Sequence, residues 1–94
     1  MIKVNEYFQG TVKSLGFENS KGRQTVGVMA AGDYEFGTGA PERMTLIAGR
    51  WSLQLPGEST FREYAIGQTV SIPGNSKFKL EIAEDSAYFC EYAG

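Results

Sequence analysis

Turn-forming residues interrupt this chain about every ten residues, and this spacing leaves room only for short secondary-structure elements. Runs rich in Val, Ile, Thr, Phe and Tyr lie between the turns, and several alternate apolar with polar side chains, as Phe78, Leu80 and Ile82 do. No long window keeps an apolar stripe at helical spacing, and 12 glycines disfavour long helices. We therefore predict an all-β fold of about eight or more short strands, arranged as a barrel or a sandwich. The turn signals fall at residues 16, 19–22, 32–33, 37–41, 49, 56–57, 67 and 73–75.

The length of the chain, 94 residues, is enough for one hydrophobic core and not for two. Hydrophobic residues make up 41% of the sequence, which is far from the composition of a disordered chain. We predict that residues 1–94 form a single domain that folds without a disulfide or a partner.

Charge and residue usage exclude several classes of function. The net charge is −2 and the cations are scattered, so nucleic acid and anionic membranes are not expected partners. Cys90 is the only cysteine and is expected to be a small buried side chain, and the chain carries neither a signal peptide nor an apolar span. We therefore expect a cytoplasmic protein. Histidine is absent, which rules out histidine triads and histidine-ligated metals.

Two spacings resemble the paired motifs of the cupin family. Six residues separate Glu42 from Gly49, and five separate Gly67 from Pro73. In this register the histidine positions of the two cupin motifs fall on Phe36, Thr38 and Phe78. Among the metal-binding positions of the two motifs, only Glu42 has a side chain that can bind a metal. The resemblance implies a cupin-like β-barrel of the jelly-roll type without a metal.

Longer stretches resemble the short cupins known as pyrimidine/purine nucleoside phosphorylases. The match runs from Asn5 to Tyr92, with Asn75 where some members have histidine and Arg43 where an acid is common. The resemblance implies phosphate-dependent cleavage of purine and pyrimidine nucleosides to free base and ribose 1-phosphate. It also implies broad base tolerance, inorganic phosphate as the co-substrate with no other cofactor, and a homodimer. The matching stretches are Asn5-Glu6-Tyr7-Phe8, Gly27-Val28-Met29, Tyr34 with Phe36, Pro41-Glu42 with Met44-Thr45, Leu55-Pro56, and Pro73-Gly74 with Ser76 and Phe78.

Two arginines are candidates for holding phosphate, since the guanidinium group donates paired hydrogen bonds and keeps its charge. Arg23 precedes a predicted strand, whereas Arg50 shares a face with Ser52 and Gln54. We favour Arg23, which falls on a position that matches the family. Its alternative role is that of a solvated turn residue.

Three aromatic residues, Phe36, Phe78 and Tyr88, are expected to point inward and to stack on the nucleobase. Stacking tolerates different bases because every base has a π-face. The alternative is that these rings only fill the core, as in most small barrels. Phe36 and Phe78 occupy cupin metal positions, and the joint placement of the three rings at the former metal site favours a binding role.

Five further residues complete the predicted site. Glu42 is assigned a catalytic role, in which it binds the ribose hydroxyls or stabilises the cationic sugar; otherwise it is a loop carboxylate. Thr38 and Ser76 would donate to phosphate oxygens, although turns also need such residues. Tyr34 and Tyr92 would cap the pocket or donate a phenolic proton, or else pack at its rim.

Two other functions compete with phosphorolysis. A non-catalytic cupin could bind a small ligand or act as a dimeric interaction module, because the fold hosts many functions. A metal-dependent oxygenase or isomerase is disfavoured, since Phe36, Thr38 and Phe78 cannot replace imidazole ligands.

Overall fold

The computed structural model describes residues 2–93, which form eight antiparallel strands. The prediction of an all-β fold is confirmed, and the two ends of the predicted domain, Met1 and Gly94, lie outside the described residues. Within this range no helix is long and apolar enough to cross a membrane. The strands are β1 (Lys3–Tyr7), β2 (Val12–Asn19), β3 (Gly22–Met29), β4 (Gly32–Gly37), β5 (Glu42–Gln54), β6 (Arg62–Tyr64), β7 (Thr69–Ile72) and β8 (Lys77–Tyr92).

The eight strands form one open sheet rather than the closed barrel that was predicted. The main path runs β1-β2-β3-β8-β5-β6, while β4 pairs with β8 and β7 pairs with β5. The path ends at β1, which pairs with β2, and at β6, which is only 3 residues long and pairs with β5. Side-chain packing therefore closes the core where a barrel would use strand hydrogen bonds.

Two strands are much longer than the short strands predicted, because β5 has 13 residues and β8 has 16. Gly49 was read as a turn, but it lies inside β5 at a series of register shifts against β8. Its φ of +93° is left-handed, and a Cβ there would collide with Ser86. The Ser86 hydroxyl instead accepts a hydrogen bond from the Arg50 amide at 3.1 Å. Gly49 thus forms a β-bulge that lets the long strand bend.

The alternation along β8 is confirmed, since Phe78, Leu80 and Ile82 are all buried. Their inner face joins a single hydrophobic cluster that also contains Trp51 and Leu53 from β5. At the other end of the sheet, the inner faces of β1, β2, β3 and β8 surround the site described next.

Candidate active site

An aromatic cavity of about 130 Å³, here called the inner cavity, lies against the inner face of the sheet, with side chains of β1, β4, β5 and β8 in its wall. Five aromatic side chains line it: Tyr7, Phe36, Phe78, Tyr88 and Tyr92. Phe36 and Phe78 are register partners on β4 and β8, and their rings stack at 6.0 Å between centroids. The predicted grouping of Phe36, Phe78 and Tyr88 around one space is therefore what the structure contains.

A wider groove of about 490 Å³, here called the outer groove, lies beside the inner cavity. Lys3, Arg23 and Glu18 bring charge to it. Tyr7, Glu42 and Tyr92 line both spaces, and we call these three residues the junction. An apolar ring site is thus joined to a charged groove through one carboxyl and two phenols.

The position of Tyr88 depends on a glycine on the neighbouring strand. Gly27 pairs with Tyr88 across β3 and β8, and a Cβ on Gly27 would lie 2.5 Å from the Tyr88 hydroxyl oxygen. The missing side chain lets the Tyr88 ring lie against β3 and line the inner cavity. Burial raises the pKa of Tyr88 to about 12, so this phenol stays protonated at neutral pH.

Glu42 is half-buried at the first position of β5, where its carboxyl meets Cys90 of β8. The Cys90 thiol donates a hydrogen bond to Glu42 Oε1 at 3.4 Å. Burial raises the pKa of Glu42 above 4.5, while the bond from Cys90 and the charge of Arg23 oppose the shift. Cys90 is 1% exposed, which confirms that it is a buried side chain, and burial raises the pKa of its thiol to about 12.

Arg23 and Tyr92 form the other side of the junction. The guanidinium carbon of Arg23 lies over the Tyr92 ring, 5.1 Å from its centroid, which orients a side chain that is otherwise exposed. The Tyr92 hydroxyl shares a hydrogen bond of 3.3 Å with Thr25 Oγ1. Burial raises the pKa of Tyr92 well above its ordinary value of 10.0, so this phenol also remains a neutral hydrogen-bonding group.

Comparison with known proteins identifies the family. Residues 2–92 match the model of the pyrimidine/purine nucleoside phosphorylase family. A Tolumonas auensis protein of that name is 56% identical over 98% of this chain and 99% of its own length. A Pseudomonas aeruginosa protein of the same name is 54% identical, with the same coverage.

The chain belongs to the pyrimidine/purine nucleoside phosphorylase family.

Solved structures support the fold. A Vibrio parahaemolyticus protein described as of unknown function has a TM-score of 0.95 and 45% identity, covering 99% of both chains. A cupin-2 domain protein from Rhodospirillum rubrum has a TM-score of 0.73 at 14% identity, and the match covers 99% of this chain and 72% of the other. The predicted cupin fold is confirmed for this family member.

The cupin metal positions carry no imidazole in this family member. Phe36 and Phe78 bring rings to the inner cavity, and only Glu42 among the four aligned positions offers an anionic oxygen. Within residues 2–93 no group of three or more His, Cys, Asp or Glu side chains could hold a metal ion. The donor set suits an aromatic ligand rather than a cation.

Four candidate residues lie apart from the two spaces. Thr38 and Ser76 both donate hydrogen bonds of 2.7 Å to the Pro73 carbonyl, so they fasten a turn. Tyr34 donates its hydroxyl to the Ala30 carbonyl at 2.7 Å and stands behind Phe36. The alternative phosphate ligand, Arg50, is paired with Glu63 at 3.5 Å and lines neither space.

Sequence reasoning missed two residues of β1, Lys3 and Tyr7. Lys3 pairs with Gly16, which pairs with Thr25, so these three positions share one face of the outer groove. Tyr7 pairs with Val12, a fully buried residue. The usable signal was the alternation of β1, which places Lys3, Asn5 and Tyr7 together.

Proposed function

We propose that this protein cleaves purine and pyrimidine nucleosides with inorganic phosphate, releasing the free base and ribose 1-phosphate. The observation that carries the proposal is the junction, where Glu42 lies between an aromatic cavity and a groove lined by Arg23, Lys3 and Glu18. Family membership supports the same activity, because relatives more than half identical carry the name of this enzyme.

The base binds in the inner cavity. Its volume of about 130 Å³ is close to the roughly 150 Å³ of an engineered protein cavity that holds benzene, a single six-membered ring. Phe36, Phe78 and Tyr88 offer ring faces to the base, and stacking does not depend on the pattern of donors and acceptors at the base edge. This explains how one site serves different bases.

Phosphate binds in the outer groove, held by Arg23 and attracted by Lys3. The stacking of Arg23 on Tyr92 holds the guanidinium near the junction, where charge-assisted bonds to phosphate oxygens are short and strong. Tyr92 therefore orients Arg23, the residue that binds phosphate, and also lines the inner cavity. Thr38, Ser76 and Tyr34 act indirectly: the first two hold a turn beside the site, and Tyr34 supports the Phe36 ring.

The reaction breaks the bond between the anomeric carbon and the base nitrogen, whose electron pair leaves with the base. An oxygen of hydrogen phosphate forms the new bond to that carbon, and the proton of hydrogen phosphate balances the charge of the departing base. The sugar becomes cationic in the transition state, so the Glu42 carboxylate at the junction stabilises it electrostatically. Positioning by the cavity and the groove supplies the remaining acceleration.

We also propose that no metal or organic cofactor takes part and that the protein works in the cytoplasm. The support is the donor set at the cupin positions, where Phe36 and Phe78 offer rings in place of imidazoles. Turnover is expected to survive exhaustive treatment with a chelator. Loss of turnover that one divalent ion restores would contradict this part of the proposal.

A homodimer is the proposed assembly, and the outer face of the sheet supports it. Val4, Leu15 and Val26 are register partners on β1, β2 and β3, and they are 67%, 49% and 41% exposed. Phe89 of β8 continues this row. A contiguous exposed apolar surface of this kind is typical of a protein interface, and a second copy of the chain would cover it.

The deciding experiment is incubation of the pure protein with uridine or guanosine, with and without phosphate. Free base and ribose 1-phosphate should appear only when phosphate is present. Binding of uracil or guanine without any turnover would instead support the alternative, a non-catalytic cupin that binds a small ligand.

A further inference from the structure

The inner cavity has room for one ring, yet the proposed substrates include purines, whose bases have two fused rings. A purine must therefore extend beyond this space, and a wall residue that lies in its path must be able to move. The wall residues differ greatly in this respect. Phe78 and Tyr88 are 3% and 6% exposed and belong to the hydrophobic core, whereas Tyr7 is 45% exposed.

Tyr7 closes the cavity on the side away from the core. It packs edge-on against Phe36, with ring centroids 5.9 Å apart. It also belongs to the junction, so its ring separates the inner cavity from the outer groove. Displacement of this one side chain would join the two spaces.

The backbone around Tyr7 lies at the edge of the sheet. Tyr7 is the last residue of β1, which lies at the edge of the sheet and pairs only with β2. Three successive residues then have left-handed φ angles: Phe8 at 52°, Gln9 at 58° and Gly10 at +87°. For Phe8 and Gln9 this conformation is uncommon, and such residues cluster at active sites and switch regions.

The turn itself is nevertheless anchored, so movement would be local. Thr11 donates its hydroxyl to the Phe8 carbonyl at 2.9 Å, and the Phe8 ring packs on Tyr34 and Phe36 at 5.1 and 5.3 Å. Phe8 therefore keeps the turn against β4, while Tyr7 projects from its start.

We propose that Tyr7 determines base-size specificity in this enzyme: its ring leaves space for a pyrimidine and must swing aside to admit a purine. The inference rests on the proposed nucleoside phosphorolysis. It assigns the discrimination between one-ring and two-ring bases to a single side chain at the sheet edge, not to hydrogen bonds at the base edge.

The test compares kcat/KM for guanosine and for uridine, each with saturating phosphate. Tyr7→Ala should raise the guanosine-to-uridine ratio about tenfold, the size expected when a steric obstacle is removed from a pocket. Tyr7→Trp should lower the ratio, and Tyr7→Phe should leave it unchanged because the ring remains. Phe61→Ala is the matched control, since Phe61 is an exposed aromatic residue outside both spaces.

The outcomes separate the two proposals. If the native protein converts nucleosides but Tyr7→Ala and Tyr7→Trp both leave the ratio unchanged, the inference about Tyr7 is wrong and the proposed function stands. If Tyr7→Ala does not fold, a lower ratio in Tyr7→Trp still supports the inference, and an unchanged ratio overturns it. If the native protein cleaves neither nucleoside, the proposed function itself fails.

Discussion

At the scale of single residues, the clearest question is whether Arg23 or Arg50 binds phosphate. Only Arg23 lines the outer groove, while Arg50 is exposed and paired with Glu63. Arg23→Ala should raise the apparent phosphate constant or lower turnover about tenfold, because each charge-assisted hydrogen bond contributes roughly 1.5–3 kcal/mol. Steady-state kinetics at varied phosphate would measure it, with Arg50→Ala as the matched control. Arg23→Lys should restore only part of the activity. Loss of phosphate dependence in Arg50→Ala alone would reverse the assignment.

Glu42 should give the pH profile of kcat/KM an acidic limb. Burial raises its pKa above 4.5, and the proposed role requires the carboxylate. The value of kcat/KM should therefore fall as the pH drops through this raised pKa, so the limb should lie above pH 4.5. Glu42→Gln should lower kcat/KM and abolish the limb. A limb of unchanged position in Glu42→Gln would show that another group titrates.

The same shift predicts a pH-dependent effect on stability. A carboxyl with a raised pKa in the folded state contributes stability below its unfolded pKa, and this contribution is lost as the pH rises through the folded pKa. Glu42→Gln has no charge to desolvate, so its melting temperature relative to the native protein should increase from acid to neutral pH. Thermal melts at a series of pH values would check this. If the melting temperature of Glu42→Gln instead falls relative to that of the native protein towards neutral pH, the contacts of the carboxylate stabilise the fold more than its desolvation destabilises it.

Single residues also show why part of the site could not be predicted. The apolar residue of β1, Val4, is exposed, while the polar residues Lys3 and Asn5 face the site. A pattern that buries apolar side chains therefore assigns the wrong face to this strand. Thr38 and Ser76 were predicted as phosphate donors, but residue type and position cannot tell the hydrogen bonds of a turn from ligand contacts, and both side chains bond the Pro73 carbonyl.

At the scale of elements, the pairing of β3 with β8 shapes the inner cavity. Gly27→Ala would place a methyl group 2.5 Å from the Tyr88 hydroxyl oxygen, so the ring must move. We expect weaker nucleoside binding and a loss of about 1–3 kcal/mol in stability, the usual cost of overpacking. Nucleoside titration and chemical denaturation would measure the two effects. Gly39→Ala is the matched control, since a Cβ there meets no atom within 4 Å. Equal behaviour of the two variants would refute the role assigned to Gly27.

The elements themselves were predictable from sequence to different degrees. Strand alternation identified the inner face of β8 because its buried side chains are apolar without interruption from Phe78 to Ile82. The glycine at position 49 was misread, since a left-handed glycine looks the same in sequence whether it makes a turn or a bulge. The sequence also could not show that the sheet is open. A sheet closes into a barrel only if its end strands, here β1 and β6, pair with each other, and no local sequence pattern predicts that pairing.

At the scale of the whole molecule, the apolar outer face predicts a two-fold dimer. Light scattering at micromolar concentration should give about twice the monomer mass of 10.3 kDa. Val26→Glu places a charge in the centre of the face and should give a monomer. Phe61→Glu, on an exposed aromatic residue away from this row, should remain dimeric. A native protein that is monomeric and fully active would exclude the proposed assembly.

The pairing of β8 also decides the order in which the sheet can fold. Among the described residues, the β1-β2-β3 part of the sheet and the β5-β6-β7 part are joined through β8, which also pairs with β4. The sheet therefore cannot be completed until β8 has met partners that are distant from it along the chain. Pairing of this kind is slow, because the entropy of closing long loops is lost before the contacts form. Until β8 is in place, β3 and β5 expose strand edges, so refolding at high protein concentration should favour aggregation.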